Sequence, residues 1–263
     1  MIYDMPIKDG HIPDGPIFDA RIFLGESFDG TSQDVSQALR GMDASGIAMA
    51  LACPLKPLSY NLDEANIGLA ATIKAHADRL LGAARIDPWQ PGAADALRRC
   101  FETLGLRALF LHPWEEHFRA DLERLDPLME IASAFRYPVL VMSGYPWVSE
   151  ALQVRKLALR WPDVPVIMTN GGQINISGLG QADASLALRT APNLYIDTAG
   201  IYRQDFIEET AQEFGAERIL FGSGSPYFDQ RYEIKRVLVA KLPASDRQAM
   251  QGGNAMRLFG LKV

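Results

Sequence analysis

Apolar residues along the chain fall into two alternating patterns. Eight short runs, rich in strand-forming residues and most of them closed by Gly or Pro, recur at residues 15–25 (GPIFDARIFLG), 46–54 (GIAMALACP), 79–88 (RLLGAARIDP), 106–113 (LRALFLHP), 137–144 (YPVLVMSG), 164–172 (VPVIMTNGG), 193–200 (NLYIDTAG) and 218–226 (RILFGSGSP). This punctuation predicts eight strands. Between them lie stretches whose apolar residues return at helical spacing: 34–45, 62–78, 92–105, 124–135, 149–162, 182–192 and 203–215, with an eighth at 232–242. The end of the chain, PASDRQAMQGGNAMRLFGL, reads as two short closing helices, Ser245 capping the first and Asn254 the second.

Strands that alternate with helices imply parallel pairing through right-handed crossovers, and a count of eight favours closure into a barrel over an open sheet. The expected fold is α/β: a TIM (β/α)8 barrel, regular or distorted, formed by residues 1–263 as a single domain. The 263 residues suit the roughly 250 that such a barrel needs. A hydrophobic share of 48% and a charged share of 22% supply an ordinary core and surface. The net charge of -6, with no Lys/Arg-rich run, argues against nucleic-acid or anionic-membrane partners and leaves a small molecule as the expected partner. Cys53 and Cys100 stand outside any metal or redox spacing and read as small buried hydrophobes. No apolar run approaches the roughly 20 residues of a membrane span, and the N-terminal MIYDMPIKDGHIPDGP lacks the apolar stretch of a signal peptide, so a cytoplasmic protein is expected.

In a TIM barrel the chemistry sits where the strands end, so the residues that alternate inward there form the candidate rim. Counting by twos places Asp19, Arg21 and Phe23 on one side of the first strand. The second strand ends near Cys53, the third gives Arg85 and Asp87, and the fourth Phe110 and His112. The fifth contributes Met142, the sixth Asn170, the seventh Asp197 and the eighth Gly224.

Seven of these segments, in order from about residue 15 to 261, resemble the amidohydrolase-related family, the amidohydrolase 2 branch of the metal-dependent hydrolases. FDARIFLG is similar to that family's opening D-A-H-x-H-x-G, GLRALFLHP to G-x-K-L-H-P, and RLDPLMEIASAFRYPVLVMSG to the helix and strand ending V-L-x-H-x-G. PDVPVIMTNGG is similar to the strand ending A-H-G-G, NLYIDTAG to the seventh strand, RILFGSGSP to the one ending G-S-D-S-P, and GGNAMRLFGL to the closing helix. The resemblance implies a hydrolase or decarboxylase of small carboxylate-bearing compounds. It also implies a divalent metal held by two histidines of strand one, one of strand five and the aspartate of strand eight, with a strand-six histidine assisting. At the matching positions stand Arg21, Phe23, Met142, Gly224 and Asn170, and Phe110 replaces a common lysine. Guanidinium, phenyl and hydrogen offer no lone pair, and thioether suits soft metals, so a metal site of the family's kind is not expected and no cofactor is assigned.

A buried Arg21 requires a partner, since an unpaired charge in a low-dielectric site costs several kcal/mol. The candidates are Asp19, Asp87, Asp197 and an anionic ligand. Arg21, His112 and Asp197 are the catalytic candidates: Arg21 as a carboxylate clamp or a barrel-plugging ion pair, His112 as acid/base or hydrogen-bond donor, Asp197 as the acid that the resemblance assigns to orienting its neighbours. Arg21, Arg85, Asp87, Trp114, Tyr145, Asn170 and Ser223 are the ligand-binding candidates, with Tyr202 beside them. Arg85 and Asp87 also read as a mutual ion pair. Glu115, Glu116 and His117 find no strand-end partner in the pattern, and His11 and His76 read as solvent-facing. FGSGSPYF, with Ser223 and Ser225, has the glycines of a nucleophile elbow but neither its spacing nor a nearby histidine. Three readings follow: a metal-free site binding a small anionic metabolite; a metal-independent hydrolase, lactonase or decarboxylase using Arg21, Arg85, His112 and Asp197; or a non-catalytic partner of an active paralogue. A homo-oligomer, a dimer, is the expected assembly.

Overall fold

A computed structural model describes residues 15–173 and 178–261. Its order of elements follows the alternation in the sequence. The strands are β1 (Ile17–Glu26), β2 (Ser32–Gln33), β3 (Ile47–Pro54), β4 (Leu80–Arg85), β5 (Ala108–Leu111), β6 (Val139–Val141), β7 (Val166–Met168), β8 (Leu194–Asp197) and β9 (Ile219–Leu220). All eight expected strands are present, and β2 is an additional two-residue antiparallel strand beside the end of β1. The helices between them are α1 (Val35–Ser45), α2 (Leu62–Ala75), α3 (Ala93–Glu102), α4 (Asp126–Phe135), α5 (Ala151–Arg160), α6 (Gly178–Thr190), α7 (Gln204–Phe214) and α8 (Gln230–Leu238). Local chemistry starts and stops them. Asp34 and Gln37 form a reciprocal capping box ahead of α1, which ends at Gly46 with φ 68°, a left-handed backbone that only glycine adopts freely.

From β1 through β3 to β9, neighbouring strands pair in parallel in sequence order. The ring closes between the first and last strands: Ala20 N–H donates to Phe221 O at 2.8 Å, Gly224 N–H to Arg21 O at 2.8 Å and Phe23 N–H to Ser225 O at 2.7 Å. The architecture is a distorted (β/α)8 barrel, with short strands on the side of β6 to β9. Two apolar layers hold it. Phe18, Ala20, Phe23, Leu51, Cys53, Phe110, Leu140 and Ile167 fill the barrel, while Ile17, Ile22, Leu24, Ala50 and their counterparts pack outward against the helices. Cys53 and Cys100 are free and buried, and burial pushes their thiols up to about 12 and about 11.

β1 departs from strict alternation. Its pairing with β3 runs Asp19 to Ala50 and then Ile22 to Ala52, so three residues of β1 oppose two of β3. This bulge lets Ala20 and Phe23 both join the inner layer while Ile22 joins the outer one. The expectation that Asp19, Arg21 and Phe23 share a side fails here: Asp19 lies before the extra residue, and its carboxylate meets Gln230 of α8, outside the sheet. The closing segment also differs from expectation. α9 (Ala244–Gln248), a π-helical turn and α10 (Asn254–Leu258) follow one another directly, with Pro243 and Gly253 at the cap positions instead of Ser245 and Asn254. Asn254 uses its amide to hold Ala216 O and Ile219 O, each at 2.8 Å, pinning the last helix to β9. Among the described residues no helix is long and apolar enough to cross a membrane.

Candidate functional site

Arg21 leaves β1 at the bulge and lies across the end of the barrel, 1% exposed. Its Nε donates to Asp197 Oδ2 at 2.7 Å, and its Nη2 donates to Asp197 Oδ1 at 3.3 Å and to Asn170 Oδ1 at 3.1 Å. Of the partners open in the sequence, Asp197 is the one that pairs with it. Burial opposes the charge on Arg21, but the attraction and hydrogen bonds of Asp197 outweigh that and raise its pKa above the usual guanidinium range. Asp197 is itself fixed from behind, accepting from Asn170 N–H at 2.7 Å and Ala199 N–H at 3.2 Å. The remaining nitrogen, Nη1, meets only the Met142 thioether, at 3.6 Å, among the described residues. The guanidinium also lies over the Phe23 ring, 5.4 Å from its centroid.

This end of the barrel opens into a cavity of about 590 Å³. Arg21, Met142, Asn170 and His112 contribute strand-end groups, and Trp114, Tyr145, Tyr202, Phe28, Tyr227, Phe228 and Tyr232 make its walls largely aromatic. Trp114 and Tyr145 stack at 5.4 Å, and Phe23 braces the inner end through edge contacts with Phe110 and Tyr227. The sequence candidates Arg21, His112, Trp114, Tyr145, Asn170 and Tyr202 are therefore brought together. Asp197 lies behind Arg21, fully buried and outside the lining.

Arg85, Asp87 and Ser223 do not line this cavity. Arg85 forms ion pairs with Glu115 and with Glu116, the latter at 2.7 Å, so the two acids that had no partner in the sequence pattern find it at the end of β4. Asp87 is not its counter-ion; its carboxylate accepts from Trp89 N–H at 2.9 Å and shapes the turn. Ser223 Oγ accepts from Ser225 N–H at 3.1 Å, and Ser225 Oγ hydrogen-bonds Gln33 at 2.8 Å, so both hydroxyls serve the loop after β9. His117 and His76 stand on the outer surface, exposed and half-buried, and His11 lies outside the described residues.

His112 is 4% exposed, and its Nδ1 accepts from Glu115 N–H at 3.2 Å. That bond leaves the ring proton on Nε2, which stands 3.3 Å from Glu115 Oε1. Burial, reinforced by the charge of Arg85, lowers its pKa well below the ordinary imidazole value. His112 is thus a neutral donor whose basic nitrogen is occupied by the backbone.

Three charged residues of the lining, Asp29, Glu233 and Arg236, carry no sequence motif. Glu233 and Arg236, one turn apart on α8, face the cavity. Glu233 Oε2 accepts from Gly200 N–H at 3.2 Å and Arg236 Nη1 at 3.3 Å, and Arg236 Nε donates to Gln204 at 3.3 Å. Burial pushes Glu233 up to about 7. The only signal for Glu233 and Arg236 was position: α8 follows the last barrel strand, and acidic and basic residues three apart share a helix face.

The profile of the Amidohydrolase family matches residues 59–261. The chain belongs to the amidohydrolase family. Among solved structures it is similar to an uncharacterized TIM-barrel protein from Bordetella bronchiseptica, at 20% identity and TM-score 0.76 over 93% of this chain and 98% of that one. It is also similar to 2,6-dihydroxybenzoate decarboxylase from Rhizobium (18%, TM-score 0.71, 93% and 98% covered) and to 5-carboxyvanillate decarboxylase from Novosphingobium aromaticivorans (14%, TM-score 0.76, 96% and 98% covered). At such identities the likeness is one of fold. No curated protein matches the chain. The Novosphingobium structure was solved with manganese and a nitrobenzoic acid. The donor set at the corresponding end of this barrel does not fit such an ion: Arg21, Phe23, Met142, Asn170 and Gly224 offer a cation, a ring, a thioether, an amide and no side chain. No group of three or more His, Cys, Asp or Glu among the described residues is placed to hold one.

Proposed function

We propose that this member of the amidohydrolase family binds a small, flat aromatic acid without a divalent metal, with Arg21 as the group that meets the acidic head. The observation that carries the reading is the state of Arg21. Three of its N–H bonds are committed to Asp197 and Asn170, which fix the plane of the guanidinium, while Nη1 has only a weak sulfur acceptor. A carboxylate oxygen is a far better acceptor, and charge-assisted bonds of this kind are the strong ones. Arg21 and Asp197 together are close to neutral, so the head group is held by directed hydrogen bonds more than by net charge. Asn170 fixes the orientation of the guanidinium, Asp197 is a positioning residue, and His112 is a donor through Nε2. The stacked Trp114 and Tyr145 suit a planar ring. The solved neighbours named above include decarboxylases of aromatic acids, which supports the choice of ligand class.

Titration calorimetry with benzoate and 2,6-dihydroxybenzoate, and with benzamide as the uncharged counterpart, tests the reading on protein stripped with a chelator. The acids are expected to bind, the amide at least about tenfold more weakly, and Arg21→Met to abolish the difference. Binding that appears only on adding manganese or zinc, or equal affinity for acid and amide, overturns it. Loss of the ligand with release of CO2 during the titration extends the reading to catalysis.

A further inference from the structure

Arg21 is not the only guanidinium at the cavity. Arg236, 7% exposed, lines the same space from α8. Its Nε is held by Gln204 and its Nη1 by Glu233, while Nη2 makes no hydrogen bond among the described residues. Each of the two arginines that line the cavity therefore keeps a nitrogen with donors to give, Nη1 on Arg21 from β1 and Nη2 on Arg236 from α8. At about 590 Å³ it has room for more than a ring with a single head group. Glu233 is the counter-ion of Arg236 and is 2% exposed.

We propose, building on the reading of Arg21 above, that the ligand carries a second acidic group bound by Arg236, and that Glu233 takes up a proton as this group arrives. The cavity is then a site for a small aromatic diacid. An arriving carboxylate competes with Glu233 for Arg236, and two carboxylates sharing one guanidinium repel. Protonating Glu233 removes that repulsion and leaves its carbonyl oxygen accepting from Gly200 N–H. Burial already holds Glu233 at about 7, so the proton is available near neutrality.

The surroundings of Glu233 support the assignment. On its own helix Arg236 favours the charged form, while Arg231 and Lys235 stand two residues away on other faces. From β8 the Asp197 carboxylate opposes that form, itself compensated by Arg21. α1, packed on α8, buries Ala38 and Met42 and leaves Arg40 and Asp43 exposed. The π-helical turn beside α8 carries no charged residue, and α7 contributes the neutral Gln204.

The test compares benzoate with isophthalate, which carries a second carboxylate, by titration calorimetry in buffers of differing ionisation enthalpy. Isophthalate is expected to bind at least tenfold more tightly than benzoate and to take up about half a proton near pH 7; benzoate takes up none. If occupancy raises the Glu233 pKa by one further unit, isophthalate affinity falls about fivefold between pH 6 and pH 8. Glu233→Gln, which keeps the acceptor for Gly200, should abolish both the proton uptake and this pH dependence, and Arg236→Gln should bring isophthalate down to benzoate. Benzoate binding through Arg21 with no gain for isophthalate overturns this proposal alone. Proton uptake that survives in Glu233→Gln also overturns it. Failure of both acids to bind overturns the reading of Arg21 with it.

Discussion

Replacing Arg21 by methionine tests whether the guanidinium and Asp197 act as one unit. Methionine keeps most of the aliphatic stem and removes the charge. Asp197 would then retain the two backbone donors on Oδ1, from Asn170 and Ala199, but Oδ2 would lose its partner inside a site that is 0% exposed. Removing one member of a buried pair costs about 3–5 kcal/mol, chiefly because the surviving charge is uncompensated. Asp197→Asn leaves Arg21 in the same position and should cost a similar amount. The double variant Arg21→Met/Asp197→Asn contains no buried charge there, keeps an acceptor for the backbone donors, and should fall only about 1–2 kcal/mol below the parent protein. The two single losses then exceed the double loss by about 4 kcal/mol or more, a coupling expected only of groups in direct contact. Urea unfolding followed by tryptophan fluorescence and circular dichroism, compared at constant slope, measures all four proteins. Single losses below about 1 kcal/mol, or losses that simply add, would refute the description of Arg21 as a buried cation dependent on Asp197.

Burial raises Asp19 from 3.8 to about 6, with hydrogen bonds from Ser223 and Arg21 working against the shift. Its folded pKa is the higher one, so its contribution to stability is complete below about pH 3.8 and is lost as the pH rises through 6. Relative to the parent, Asp19→Asn should therefore gain about 2 kcal/mol between pH 4 and pH 7; an unchanged difference in unfolding free energy across that range contradicts the shift. His112 should be neutral at pH 6.5 and above, its carbon-bound ring protons showing no titration there in NMR spectra; a midpoint at or above 6.5 would contradict its burial beside Arg85. Gly224 has φ 65°, and a Cβ there would stand 3.2 Å from Phe228 and 3.3 Å from Ala199, so Gly224→Ala should cost about 1–3 kcal/mol and lower the melting temperature. Trp114→Ala removes one plate of the aromatic stack and should weaken benzoate binding by about tenfold while changing the unfolding free energy by less than about 0.5 kcal/mol, because Trp114 is half exposed.

The frame of the barrel was legible because each strand carries its own punctuation: residues 106–113 and 137–144 rise from apolar runs and stop at His112-Pro113 and Ser143-Gly144, where the chain turns out over the barrel end. Counting by twos then found Arg21, His112 and Asn170. It failed where a strand departs from a period of two. One extra residue between Asp19 and Ile22 carried Asp19 to the helix side, and nothing in FDARIF marks a bulge. Partner choice was open for a different reason. Arg85 is bound by acids 30 and 31 residues later, in a loop whose path depends on packing after His112, so the nearer Asp87 looked equally suitable. Glu233 and Arg236 were hidden because α8 reads as an ordinary amphipathic helix, and its polar face meets the cavity only through the way the helix lies over the barrel end.

The residues around the barrel end make physical sense as a set. Arg21 without Asp197 is an unpaired buried cation, and Asp197 without Arg21 an unpaired buried anion. Phe23 fills space between Phe110 and Tyr227 and lies under the guanidinium, where a histidine would bring a polar ring needing its own partner. Met142 gives Nη1 a soft neighbour that a stronger acceptor can displace, and Asn170 binds Nη2 with its oxygen while its amide nitrogen donates to Ala199 O at 3.0 Å. Gly224 leaves room: a Cβ there would come within 3.5 Å of Arg21 Nη1. The side chains of Arg21, Asn170 and Asp197 complete one another's hydrogen bonds, and the donor left least satisfied is Nη1 of Arg21, a residue of the cavity lining.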